Sequence, residues 1–444
     1  MSDSSRVGDV DASAPYPSSS RAWYAVAILF LAYTLSFVDR QIFAFLVDPI
    51  KADFHISDSA FAFMSGFGFV IIYTVLGIPI GRLADSHNRR NIISAGVAVW
   101  SIMTAWCGVA ANYWQLFLGR FGVGVGEAAL SPCAYSMIAD NFPREKRSLP
   151  LNVYSAGIMV GAGLANVFGG LATQAALSMG PQSIPVVGTI EAWQFAFLMV
   201  GVPGLIIVAL LLTLREPARH ERRAAEAKFA ETLRYIGQHK GTYITLIVGV
   251  SLFATSNYAL INWIPAYYDR NFGWGRGQIG TYFGTIIMIC GTFGLVFSGW
   301  LATKLLRSGV EAVFSKLMIG AECIALVGFV LLVAVHDPYW TVGCLTVIML
   351  GLSFHVGLGP VALQAVTPNE MRGQVIAIYF LILNITANGI FNQVIAAFTD
   401  FFFKDPADVG KSVAVVGTAA TIVGMASLII GIKYYKRSAK EIGV

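Results

Sequence analysis

Arg120 and Glu127 stand inside the run "GRFGVGVGEAAL" (119–130), and from Trp114 to Ala139 no other side chain is charged. Seven residues apart on a helix, they lie two turns or ~10 Å along the axis and share one face. A charge at the centre of a membrane helix costs about 2.5 to 3.5 kcal/mol on insertion scales, so such a residue faces a cavity or a partner. A second opposed pair, Asp39 and Arg40, sits in "FVDRQIFAF" (37–45), toward the same end of its own apolar stretch. Buried carboxylates that share an arginine can exchange a proton for that arginine. Asp39, Arg120 and Glu127 are therefore candidate proton-coupling residues: Arg120 pairs with one carboxylate or the other, and protonation of its partner releases it. The competing reading is a fixed salt bridge that ties the two helices together.

Neutral polar groups form a second set. Asn384, Asn388 and Asn392 repeat at i, i+4 and i+8, a single stripe down one helix. Asn257, Tyr258 and Asn262 mark another helix, and His355 a third. With Arg40 and Tyr135 they could line a substrate cavity charged on one side and neutral on the other, which suits an amphipathic ligand. The alternative for the Asn stripe is hydrogen bonding between helices. For His355 the alternative is a satisfied histidine inside a bundle.

The glycines of 119–130 carry no phosphate chemistry. A phosphate loop needs a preceding strand and a GK[ST] ending, whereas Gly122 and Gly126 have the small-xxx-small spacing that lets two helix backbones approach. There is no HExxH and no GxSxG, and Cys107, Cys133, Cys290, Cys323 and Cys344 follow no metal or disulfide spacing. No enzyme, metal centre or cofactor is expected.

The elements that must position these groups follow from composition. Of 444 residues, 56% are hydrophobic and 12% charged, about half the charge of an average soluble domain. Twelve apolar segments have the ~20 residues that cross a bilayer: 22–47, 59–81, 91–111, 113–140, 149–176, 191–213, 242–267, 278–302, 312–335, 339–365, 373–401 and 410–434. The fold class is thus an all-α membrane protein of twelve transmembrane helices, an integral multi-pass protein that in a bacterium would sit in the cell (inner) membrane. With both ends on one side, most of the 30 Lys and Arg fall in loops on that side, which makes both termini cytoplasmic. The net charge of +5 is dispersed over short loops, so no nucleic acid partner is expected. Protons, membrane lipids and a small substrate are the expected partners, with a monomer as the assembly.

The polar interruption from Arg215 to Lys240 divides the spans six and six. Residues 1–21 read as a disordered cytoplasmic tail, 22–213 as the first bundle, 214–241 as a linker that is either an amphipathic surface helix or a plain charged connection, 242–435 as the second bundle and 436–444 as a tail. The halves repeat: "GRLAD" with Arg89 returns as "GWLAT" with Arg307, and "FPREKRS" (142–148) as "TPNEMRG" (367–373). Parallel repeats of this kind characterise transporters with a site between their halves. In the second half the places of Arg120 and Glu127 are taken by Leu345 and Leu352.

"GRLADSHNRR" (81–90) resembles the loop motif of the major facilitator superfamily, with Gly81, Asp85, Arg89 and Arg90 in matching places; Ser86 and Asn88 depart from it. The resemblance implies a cytoplasmic latch between the halves formed by those four residues. Together, "FVDRQIFAFLVDPIKADFHISDS" (37–59) and "GRFGVGVGEAALSPCAYSMIADNFPREKRS" (119–148) are similar to the spinster-like branch, which implies transport of lysolipid or sphingoid-phosphate solutes by rocking of the halves. Because the "DR" pair also occurs in organic-anion carriers, a proton-coupled organic-anion or multidrug carrier is the alternative. A membrane-embedded lipid enzyme and a sensor without transport are the competing classes.

Overall fold

In hydrocarbon each backbone N–H and C=O must find its partner within the protein, and an α-helix satisfies them within the segment. The long apolar runs accordingly fold as helices. The computed structural model describes residues 15–143, 146, 148–184, 188–219 and 229–442. Its first half contains α1 (Ser19–Phe45), the short α2 (Val47–Phe54) and α3 (Asp58–Ala62), α4 (Phe69–Ser86), α5 (Arg89–Cys107), α6 (Tyr113–Glu127), α7 (Leu130–Asn141), α8 (Ser148–Met179) and α9 (Ala192–Thr213). Between α8 and α9, β1 (Gln182–Ile184) and β2 (Gly188–Ile190) pair antiparallel, Gln182 opposite Ile190.

The second half contains α10 (Phe229–Gln238), α11 (Lys240–Phe272), α12 (Arg276–Ile286), α13 (Thr292–Arg307), α14 (Val313–Ala334), α15 (Pro338–Ala365), α16 (Arg372–Asn384), α17 (Phe391–Ala397) and α18 (Val409–Ile442). Wider π turns interrupt the ladder at Ile287–Gly291, Ile385–Ile390 and Phe398–Phe403, a feature that clusters at functional sites.

Among the described residues nine helical stretches are long and apolar enough to cross a membrane. The expected spans 59–81, 91–111 and 113–140 fall on α4, α5 and the α6–α7 pair, which are not among the nine. The last is cut at Ala128 and Ala129 into helices of 15 and 12 residues.

Two boundaries differ from the sequence reading. Helix α1 begins at Ser19, inside the expected tail 1–21, of which residues 1–14 lie outside the described residues. At the other end α18 continues to Ile442 instead of ending near 435. The continuation is packed: Ser438 is buried and its hydroxyl lies 2.8 Å from that of Thr242, while His239 Nε2 lies 2.8 Å from Glu441 Oε2. The linker carries a helix, α10, which buries Thr232 and lets the Tyr235 hydroxyl donate to the Val366 carbonyl at 3.3 Å. Residues 220–228 lie outside the described residues.

The chain divides into two units, each with its own buried apolar core. One comprises the described residues of 1–56, 68–223 and 275–284; the other those of 57–67, 224–274 and 285–444. Leu29, Val97, Trp100, Val123 and Leu130 centre the first core, and Phe253, Met318, Leu363, Tyr379 and Leu428 the second. Two short segments thus pack away from their own half of the sequence. Residues 57–67 are held in the second unit by Arg270, whose Nη1 and Nη2 donate to the two Asp58 oxygens at 3.0 and 2.9 Å, and by Asp400, which accepts from the Ser59 amide at 2.7 Å. Residues 275–284 are held in the first by Gln174 Oε1, which accepts from the Gly277 amide at 2.7 Å.

Candidate functional site

Charges cluster where α1, α5 and α6 meet in the first unit. Successive residues on a helix point about 100° apart, so Asp39 and Arg40 of α1 reach different partners. Asp39 is buried and accepts from Thr104 Oγ1 of α5 in a short hydrogen bond. Its other oxygen lies 3.4 Å from Arg120 Nη1 of α6. Arg120 also places its guanidinium 4.4 Å from the centre of the Phe43 ring, a distance at which the ring face attracts a cation.

Arg40 turns to Glu127. Its Nε donates to Glu127 Oε2 at 2.5 Å, and Nη2 makes a second short contact with the same oxygen. Glu127 is the last residue of α6, where the helix dipole disfavours a carboxylate, and Arg40 compensates both charge and dipole. Glu127 Oε1 is buried without a hydrogen-bond partner. The Arg40 guanidinium lies 4.8 Å from the Tyr73 ring centre and 5.6 Å from that of Phe37. Its side chain is 28% exposed against 3% for Arg120, so Arg40 is the more accessible of the two cations.

This arrangement corrects the expected assignment of partners. Arg120 was expected to alternate between Asp39 and Glu127, with Arg40 lining the cavity; each carboxylate instead has an arginine of its own, and Arg40 is the partner of Glu127. The physical reason is distance along α6: seven residues put Glu127 about 10 Å from Arg120 along the axis, whereas Arg40 of α1 reaches it directly.

The close approach of α5 and α6 depends on Gly126. A Cβ on it would fall 2.5 Å from the Gly96 carbonyl oxygen and 2.6 Å from the Trp100 nitrogen, and one on Gly122 would meet the Met103 side chain at 2.4 Å. Both glycines therefore serve helix packing.

Of the cavity candidates, Tyr135 is 39% exposed and meets Tyr154 edge to face, which in turn stacks on Tyr33. In the second unit, Asn262 Nδ2 donates to Asn388 Oδ1 at 3.2 Å and more weakly to Asn392 Oδ1 at 3.4 Å, and Trp263 Nε1 donates to Asn392 Oδ1 at 2.8 Å. Asn384 Nδ2 donates to the Phe380 carbonyl of its own helix at 2.8 Å. Much of the Asn stripe thus ties the α16–α17 segment to α11. Asn257 is buried, and half-buried Tyr258 packs on the second core. His355 is buried with Nδ1 3.4 Å from Glu322 Oε1, which places it inside the unit and not on an open surface. Glu322 was missed, although it is an acid within an expected apolar span and the criterion that singled out Glu127 applies to it equally.

Of the four latch residues, Gly81 and Asp85 have side-chain positions outside the described residues. Arg89 is fully buried and donates to Glu216 Oε1 at 2.6 Å, Ser136 Oγ at 2.7 Å, Asp140 Oδ2 at 2.5 Å and the Pro217 carbonyl at 3.2 Å. The Arg90 amide donates to Glu216 Oε2 at 3.0 Å, and its Nη1 to the Leu214 carbonyl at 3.2 Å. These partners all belong to the first half, so the pair clasps α5 to α7 and to the end of α9.

Residues 29–389 match the Major Facilitator Superfamily. The chain is 30% identical over 392 residues to an MFS-type efflux pump of Mycolicibacterium smegmatis, covering 87% of this chain and 86% of that protein. It is 27% identical over 271 residues to a sphingosine-1-phosphate transporter of Xenopus tropicalis, covering 59% of this chain and 50% of that one, so the chain aligns with about half of that relative. Its fold matches a bacterial homologue of the human lysosomal transporter spinster, solved in an inward-facing and unoccupied conformation, with a TM-score of 0.76, 24% identity, and coverage of 96% of this chain and 98% of that one.

Proposed function

The chain belongs to the major facilitator superfamily, an integral multi-pass membrane transporter of spinster-like kind, and we propose that it couples protons to the movement of an anionic amphiphile through the Arg40–Glu127 pair. In this reading its twelve spans form two six-helix repeats with both termini cytoplasmic, and access alternates by rocking of the repeats. The observation that carries the reading is the asymmetry of the pair: a fully buried carboxylate held by a cation that is 28% exposed. A proton on Glu127 removes the charge that holds Arg40. The freed guanidinium can then accept a phosphate or carboxylate headgroup, for which its planar donor fork is suited. Half-buried Tyr33 of α1 and exposed Tyr135 of α7 pack on the buried Tyr154 of α8, and the first two offer a surface for an apolar chain. Asp39 and Arg120, both nearly inaccessible, hold α1 against α6 in this scheme.

A lysolipid or sphingoid phosphate combines the headgroup and chain that these groups suit. The second reading, a proton-coupled organic-anion or multidrug carrier, draws on the similarity to the mycobacterial efflux pump, which extends over most of both chains.

The test is flux in proteoliposomes under an imposed pH gradient, with a lysophospholipid, a sphingoid phosphate, a short organic acid and a cationic dye as solutes. Glu127→Gln mimics the protonated acid and is expected to bind solute but lose the dependence of flux on the gradient. Unchanged proton dependence in Glu127→Gln would sink the coupling role, and flux of the dye or short acid alone would transfer the substrate reading to the second alternative.

A further inference from the structure

The crossing of α5 with α6 in the first unit has a counterpart in the second. Gly351 of α15 takes the place of Gly126: a Cβ on it would lie 2.5 Å from the Ala321 carbonyl oxygen and 2.7 Å from the Ala325 nitrogen of α14. In the first unit the same contacts are made to Gly96 and Trp100. The three pairs Gly126 and Gly351, Gly96 and Ala321, and Trp100 and Ala325 are separated by one constant offset in the sequence. The two crossings are therefore equivalent, residue by residue, by duplication.

At that offset Val97 corresponds to Glu322, and Leu130 to His355. Val97 and Leu130 are fully buried in the first core, so two apolar side chains suffice to pack this crossing. Its counterpart carries an acid and an imidazole, equally buried at 0% and 2% exposure, with His355 Nδ1 3.4 Å from Glu322 Oε1. Glu322 Oε1 and Oε2 and His355 Nδ1 have no hydrogen-bond partner among the described residues. An unbonded carboxylate buried beside an imidazole is a costly arrangement, and the first unit shows that packing does not demand it.

We infer that Glu322 and His355 form a second proton-binding site, in which the pair takes one proton from water and returns it to water. The step is a transfer between oxygen and nitrogen bases: an O–H bond of hydronium breaks, an O–H or N–H bond forms on the pair, and its net charge goes from −1 to 0. A low-dielectric site favours the neutral pair, so proton occupancy depends on how far water reaches it. Among the described residues His355 is the titratable group that acts electrostatically on Glu322. On the other side of the imidazole, the Phe253 ring lies 6.1 Å from that of His355. The helices packed against α14 and α15 are α11, α13, α16 and α18. Their charged residues stand toward the helix ends: Lys240, Asp269 and Arg270 on α11, Lys304 and Arg307 on α13, Arg372 on α16, and on α18 Lys411 at one end with the cluster from Lys433 to Glu441 at the other. The inference does not depend on the role assigned to Glu127.

The test reads protonation without transport, by infrared difference spectroscopy of the purified protein across a pH titration. Wild-type protein is expected to show a carboxyl band that titrates, is lost in Glu322→Gln and persists in Glu127→Gln. The frequency of that band should move in His355→Leu, which removes the imidazole beside the carboxyl. Should the single variant fail to fold, the double variant Glu322→Val with His355→Leu installs the side chains that pack the equivalent crossing, and it should fold and lack the band. The inference is overturned if the band survives the removal of Glu322 in whichever variant folds, or if it is unmoved in His355→Leu. Loss of gradient dependence in Glu127→Gln with the Glu322 band intact would support both sites separately.

Discussion

Arg40 Nε donates to Glu127 Oε2 at 2.5 Å, and Arg40 thereby takes the partner that spacing along α6 would assign to Arg120. The four charges form two pairs in parallel, Arg40 with Glu127 and Arg120 with Asp39. A proton arriving at Glu127 then frees a different arginine from one arriving at Asp39.

Double-mutant cycles can separate the pairs. Thermal unfolding in detergent of Arg40→Gln, Glu127→Gln and the double variant, set beside the same cycle for Arg120 and Asp39, should give coupling of about 0.5 to 3 kcal/mol within each pair. The cross-cycle between Arg120 and Glu127 should be smaller than either. A cross-cycle larger than the Arg40–Glu127 cycle would return Glu127 to Arg120. Arg120→Ala alone should cost about 3 to 5 kcal/mol, because Asp39 is left buried and uncompensated.

The ion pair between Arg270 and Asp58 ties the start of the second expected span to the end of α11. Asp58 is fully buried and each of its oxygens receives one guanidinium nitrogen. Arg270→Ala should therefore destabilise the protein by about 3 to 5 kcal/mol. Arg270→Lys should recover only part of that, since an ammonium cannot span both oxygens. If the lysine variant unfolds at the wild-type temperature, the bidentate geometry contributes nothing.

Asn388 and Asn392 accept hydrogen bonds from Asn262 and Trp263, so the triple variant Asn384→Ala, Asn388→Ala, Asn392→Ala should lower the unfolding temperature. Interhelical bonds in membranes stabilise by about 0.6 kcal/mol each on average, so the loss should be modest. Asn384 bonds its own helix and should carry least of it. A triple variant of wild-type stability that no longer binds an amphiphile would make the stripe a ligand surface after all.

The positions of most of the long apolar helices were legible in the sequence, because hydropathy is a property of residues taken in order. The glycine spacing at Gly122 and Gly126 likewise announced a close helix approach, since small residues permit it whatever the partner is. Arg120, Glu127, Asp39 and Arg40 stood out for the same reason: the cost of a charge in an apolar run needs no neighbour to be computed. The choice of partners was not legible. A helix's own period says which face a side chain occupies, but which neighbour meets that face depends on where the helix ends, how it crosses the next and how each is rotated. The packing of α1 beside α6 gave Glu127 to Arg40. The Gly351 crossing brought His355 to Glu322, an acid on another helix 33 residues away in the chain. Arg270 met Asp58 only because the start of the second expected span packs in the second unit. Contacts of this kind join residues far apart in the sequence, and nothing in the local pattern of either residue carries the distance between them.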